Sequence, residues 1–141
     1  MLTADEIIKT LQLQPHPEGG FFRETQRITE ESKQRSISTS IYFLLKKGQS
    51  SHWHRIDAHE TWHFYAGAPL ELASSLTDQG PVIRRTLGPD LSLEQEPQLV
   101  IRPHEWQAAR TLGAFTLVGC TVSPGFEFSS FELAPPTWQP G

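Results

Sequence analysis

The stretch SISTSIYFLLKKG, residues 36–48, decides the fold. Ile37, Thr39, Ile41, Phe43 and Leu45 fall on one side of an extended chain, with Ser36, Ser38 and Ser40 on the other. Strand side chains alternate between two faces, so this is the pattern of a half-buried strand. Runs of the same kind recur on both sides of it: GFFRETQR (20–27), SSHWHRI (50–56), ETWHFYAG (60–67), PLELASSLT (69–77), VIRRTLG (82–88), PQLVIR (97–102), EWQAAR (105–110) and FTLVGCTVS (115–123). KKGQS, AGAP, TDQGP, GPD, TLGA and SPGF separate them and read as turns. Eleven prolines and ten glycines in 141 residues agree with so many turns. Short strands at this spacing make a sandwich or a barrel, and the expected class is all-β.

One helix precedes the strands. Thr3 is a good N-cap, Glu6 completes a capping box, and Leu2 and Ile7 are spaced as a hydrophobic staple. Ile7, Ile8 and Leu11 form its apolar face, and PHPEGG stops it. The expected organisation is one domain: a helical segment over 1–15, a barrel over 20–134 and a tail over 135–141.

Composition narrows the function classes. The net charge is −4 and the basic pairs, Lys46–Lys47 and Arg84–Arg85, are short and scattered, which argues against nucleic acid. The longest apolar run, IYFLL, is far below the ~20 residues of a membrane span. MLTADEIIK has no apolar secretion-signal core, and a lone cysteine, Cys120, fits a reducing compartment. The expectation is a cytoplasmic protein without nucleic-acid or membrane partners. Cys120 itself, inside FTLVGCTVS, reads as a core residue.

The chemistry concentrates in SSHWHRIDAHETWHFYAG, residues 50–67, which holds four of the six histidines (His52, His54, His59, His63). On a regular strand His52 and His54 face the same way, and two imidazoles in one cavity make a chelating pair. Gly48, His52, His54, Glu60 and Gly67 stand in the order of the first motif of the cupin superfamily, which this stretch resembles. Six residues lie between Glu60 and Gly67, as in that motif; five lie between His54 and Glu60, so His59 is an alternative third ligand. RPHEWQ (102–107) occupies the place of the second motif, with Gln107 where its last ligand would stand.

The chain further resembles a family of cupin-like proteins known as a domain of unknown function, through HPEGGFFRET (16–25), TSIYFLL (39–45), HRIDAHETWHFYAGAPLEL (54–72), WQAAR (106–110) and LVGCTVSPGFEFSSFEL (117–133). The resemblance implies a double-stranded β-helix (jelly-roll) barrel, commonly a homodimer. The two cupin motifs above imply one divalent ion (Zn, Fe, Ni or Mn) held by His52, His54, Glu60 and Gln107.

By alternation Glu60, Trp62 and Phe64 share a face, and with Phe43 they would line an apolar pocket for a small molecule. Phe126 and Phe128 would stand at its rim. His63 falls on the opposite face, and acts as a general base only if a β-bulge turns it inward. Arg23 is a candidate clamp for an anionic group. Three readings follow: a metal-dependent enzyme on His52, His54 and Glu60, a metal-free isomerase or epimerase on His54, His63 and Glu60, and a non-catalytic ligand-binding module.

Overall fold

The computed structural model describes residues 2–141. The helix α1 (Ala4–Leu11) begins at the expected cap: the Glu6 amide donates to Thr3 Oγ1 and the Thr3 amide to Glu6 Oε1, each at 3.2 Å. Such a cap contributes about 1 kcal/mol. The helix ends earlier than PHPEGG, because Gln12 turns left-handed (φ 57°) and its amide closes the last turn. Eleven strands follow: β1 (Gln14–Pro15), β2 (Phe21–Ile28), β3 (Ser38–Lys46), β4 (Ser50–Arg55), β5 (His59–Gly67), β6 (Leu70–Ser75), β7 (Ile83–Leu87), β8 (Gln98–Ile101), β9 (Trp106–Thr111), β10 (Phe115–Ser123) and β11 (Glu132–Leu133).

The protein is mostly β, in two antiparallel sheets with strand orders β1-β2-β3-β10-β5-β8 and β11-β4-β9-β6-β7. The pairings nest. β6 pairs with β7, β5 with β8, β4 with β9 and β3 with β10, so the chain from β3 to β10 is one long hairpin wound into a barrel. Nested antiparallel pairing of this kind is the jelly roll.

Alternation along β3 sets the core. Ile41, Phe43 and Leu45 point into the barrel, where Trp62, Leu70, Leu72, Leu99, Ile101 and Val118 meet them. Leu44 points the other way, yet it is fully buried because Ile7, Leu13 and Phe115 close over it. The helix is therefore a cover for the outer face of the first sheet. Burying a Leu or Phe side chain fully stabilises the fold by about 1.5–3 kcal/mol, which outweighs the cap.

The outer face of the second sheet is covered by the tail. Trp138 packs on Trp106 (ring centroids 4.5 Å apart) beside Trp53, Ala73 and Ala134, and the Trp106 indole N–H donates to Asp78 at 2.8 Å. Among the described residues no helix is long and apolar enough to cross a membrane.

Candidate functional site

The packed core stops short of one end of the barrel and leaves a cavity of about 180 Å³. An apolar cavity of about 150 Å³ accepts benzene, so this one is sized for a single ring. Its walls are Phe22, Ile41, Phe43, Ile56 and Val122, with Phe126, Phe128 and Phe131 toward solvent. Ionisable groups line it as well: His16, Glu18, His54 and Glu60 form one cluster, and Glu24, Arg27, Cys120 and Glu127 complete the lining.

His16 and Glu18 arrive on the tight turn between β1 and β2. The His16 amide donates to the Gly20 carbonyl (2.9 Å) and the Gly19 amide to the His16 carbonyl (3.0 Å). Gly19 (φ 109°) and Gly20 (φ 79°) lie in the left-handed region, and a Cβ at Gly19 would collide with the Ser50 carbonyl oxygen. Glycine is what lets this turn press against β4. The His52 amide then donates to the Glu18 carbonyl at 2.9 Å and ties the turn to the strand.

That contact accompanies a β-bulge. Ser51 pairs with Ala109 but His54 with Gln107, so β4 holds one residue more than β9 over that interval. Ser51 and His54 therefore both reach the Glu18 carboxyl, whereas His52 does not face the cavity. The His52 Nε2–H donates to the Pro135 carbonyl at 2.8 Å. The expectation that His52 and His54 project together is corrected here: it assumed an unbroken alternation.

Hydrogen bonding sets the tautomers. His54 Nδ1 lies 2.7 Å from the His52 carbonyl, which only accepts, so Nδ1 carries a proton. His54 Nε2 is left 3.2 Å from Glu18 Oε2, while Glu18 Oε1 accepts from Ser51 Oγ at 2.8 Å. His16 Nδ1 accepts the Glu18 amide N–H at 3.1 Å, which leaves its neutral-form proton on Nε2.

Two charge arrangements fit the Glu18–His54 contact: a carboxylate against an imidazolium, or a carboxylic acid donating to a neutral imidazole. Burial decides for the second. The side chains are only 9% and 3% exposed, and burial pushes Glu18 up to about 8 and lowers His54. His16 is pushed down to about 4 by burial and by His54.

Glu60 lies inside the barrel as alternation predicts. Burial raises its pKa, His54 opposes the rise, and Glu18 adds to it. Its Oε1 accepts from Gln107 Nε2 at 2.7 Å, and Gln107 Oε1 accepts from the Trp62 indole at 2.9 Å. An indole N–H only donates, so it fixes which end of the amide faces Glu60. Cys120 sits beside Glu60 with its thiol pKa pushed well up by burial, so it is not a nucleophile near neutrality.

Of the remaining residues singled out from the sequence, Phe43 lines the cavity, whereas Trp62 and Phe64 pack in the barrel core and do not. His63 points outward: Gln98 Nε2 lies 3.1 Å from its Nδ1, Thr121 Oγ1 lies 3.3 Å from its Nε2, and its ring stacks on Tyr65. No bulge turns it in, because β5 runs in regular register with β8 from Glu60 to His63. Arg23 donates to the Leu11 carbonyl at 3.2 Å, tying the end of α1 to β2 away from the cavity. His59 is exposed.

The ligand set expected for a divalent ion does not fit. His52 is turned away, and Gln107 presents its amide N–H, not its carbonyl, toward Glu60. Among the described residues no three His, Cys, Asp or Glu side chains are placed to hold a metal. His16 and Glu18 carry no motif that marks them as site residues in the sequence. Their trace in the sequence is an ionisable pair two residues apart, directly before two glycines.

A nested jelly roll with a ring-sized cavity open at one end of the barrel is the architecture of a cupin. The chain belongs to the family described as "Cupin superfamily (DUF985)", whose family model matches residues 5–134. A crystal structure of protein SO0799 from Shewanella oneidensis is 40% identical and superposes with a TM-score of 0.89, over 95% of this chain and 85% of that one. A hypothetical protein from Leishmania major is 32% identical, with a TM-score of 0.85 over 94% and 88% of the two chains. Oxalate decarboxylase from Bacillus subtilis shares the fold at 14% identity and a TM-score of 0.64, over 84% of this chain and 29% of that one. No curated protein sequence matches the chain.

Proposed function

We propose that this cupin binds a ring-sized small molecule in the cavity and transfers a proton on it through the Glu18–His54 pair, with Glu60 as the second proton carrier. The observation that supports this most is the 3.2 Å contact between Glu18 Oε2 and His54 Nε2 at the wall of an apolar cavity. His54 Nδ1–H is committed to the His52 carbonyl, so exchange is confined to the Nε2–Glu18 side. A carboxyl with a pKa near neutrality is matched to both donating and accepting a proton there. Glu60, held by Gln107 and separate from that pair, is a second group raised in the same direction. Two such groups on one cavity suit abstraction of a proton next to a carbonyl and its return elsewhere, an isomerase or epimerase step. In this reading Glu18 takes the part that the sequence assigned to His63.

The test is solvent-deuterium exchange into ring-sized ketones, followed by NMR. Wild type should label a C–H next to the carbonyl, and Glu18→Gln and His54→Gln should each slow it by about 100-fold or more. Undiminished exchange in both folded variants would sink the proton-transfer reading. Ligand binding without exchange in the wild type would leave the protein a binding module. Ile41→Trp, which fills the cavity, should abolish binding of any ligand that sits there.

A further inference from the structure

We infer that the ligand of this cavity is an organic cation, a single ring bearing a positively charged nitrogen, seated against phenylalanine faces with its charge toward the carboxyls of Glu60 and Glu127. This rests on the cavity being the ligand site and goes further in naming the charge of what enters it.

The balance of charged groups is one-sided. Four glutamates line the cavity, Glu18, Glu24, Glu60 and Glu127, and no lysine does. The one guanidinium, Arg27, is already engaged: it holds Glu24 in two hydrogen bonds of 2.8 and 2.9 Å and donates to the Phe126 carbonyl at 3.0 Å. The two histidines are not free cations either: His16 Nδ1 accepts a main-chain N–H, and burial disfavours the charged form of His54. An anion entering here meets no unengaged positive group, and the Glu18 proton is already committed to His54. Buried charge without a partner is among the largest penalties a site can impose, so anions are rejected. A cation meets carboxyls at the far wall and at the rim.

The aromatic wall points the same way. Phe126, Phe128 and Phe131 pack at steep mutual angles (87°, 76° and 64°), with centroids 4.8 to 6.1 Å apart. They form an edge-to-face cluster that lines the mouth of the cavity. Phe22 and Phe43 extend that wall inward beside His16. Ring faces carry negative charge density and attract cations, while they gain little from an anion.

The test is a charge series on one ring, run by isothermal titration calorimetry on the full chain at neutral pH: benzylamine (protonated), benzyl alcohol and benzoate. Benzylammonium should bind about ten-fold tighter than benzyl alcohol, with benzoate weaker than either. Glu60→Gln, and separately Glu127→Gln, should narrow the lead of benzylammonium over the alcohol. The wild-type series needs no variant to fold. Benzoate or benzyl alcohol binding as tightly as benzylammonium overturns the cation inference and leaves the ligand site standing. If none of the three binds, both fall. Benzylammonium binding that persists in folded Ile41→Trp places it outside the cavity and overturns the assignment.

Discussion

Gln107 is fully buried between two groups that accept only one orientation of its amide, the Trp62 indole on one side and the Glu60 carboxyl on the other. Replacing it with leucine keeps the volume but strands both partners. An unpaired buried polar group costs about 1–3 kcal/mol, so Gln107→Leu should lower the urea unfolding free energy by about 3 kcal/mol. Two histidines two residues apart should differ as sharply. His52→Ala should leave ligand affinity within about two-fold, since its side chain bonds Pro135 outside the cavity, whereas His54→Gln removes an imidazole that bears on Glu18.

The titrating groups set a pH dependence with opposed limbs. Folded Glu18 keeps its proton to about pH 8, while the unfolded carboxyl loses it near 4.5, so this group makes stability fall as pH rises through that window. His16 runs the other way: it stays neutral to about pH 4 when folded and takes a proton below 6.5 when unfolded, so stability rises from pH 4 to 6.5. The two offset each other between about 4.5 and 6.5. Above 6.5 Glu18 acts without that offset, with a decline of up to about 1.4 kcal/mol per pH unit, and Glu60 adds to it in direction. Urea titrations across pH 6.5–8 should show the decline in wild type and a flatter profile in Glu18→Gln.

At the scale of elements, the strands were legible because alternation is local. The expected runs at 50–56, 60–67, 69–77, 82–88, 97–102, 105–110 and 115–123 each overlap an observed strand, β4 to β10, although β5 starts one residue early at His59 and β9 ends one residue late at Thr111. The helix cap was legible for the same reason, being three residues of spacing. The bulge in β4 was not, because it depends on where the His52 amide goes, and that partner lies more than thirty residues upstream at Glu18. The turn at 16–20 holds the bulge in place, so it should be sensitive to side-chain volume. Gly19→Ala introduces a Cβ into the Ser50 carbonyl and an unfavourable φ, at a cost of about 1–3 kcal/mol. Amide hydrogen exchange should show the His52 N–H losing protection first.

At the scale of the whole molecule, the barrel is covered on opposite faces by its two chain ends. Removing the tail ring with Trp138→Ala should destabilise the protein by about 1 kcal/mol, since that ring is half-buried, and leave the cavity unchanged. Ligand binding and folding are linked through the same barrel. A ligand at 100 times its Kd should raise stability by about 2.7 kcal/mol, read as an upward shift in Tm, and Ile41→Trp should abolish the shift.

The amino-acid sequence by itself determined the strands β2 to β10, the capped helix, the all-β class, through its family resemblance the jelly roll, and two of the cavity's ionisable residues, His54 and Glu60. Each of these follows from period, spacing or motif along a few neighbouring positions. Only the tertiary structure decided that Glu18 and His16 complete the site, that His52 and His63 lie outside it, and that Gln107 presents its N–H to Glu60. Those outcomes rest on contacts between segments far apart in the chain: a glycine turn docked on a bulged strand, and an indole opposite a buried amide. Pairing across such distances sets which way a side chain faces, and that direction separates a ligand-facing group from one that only packs.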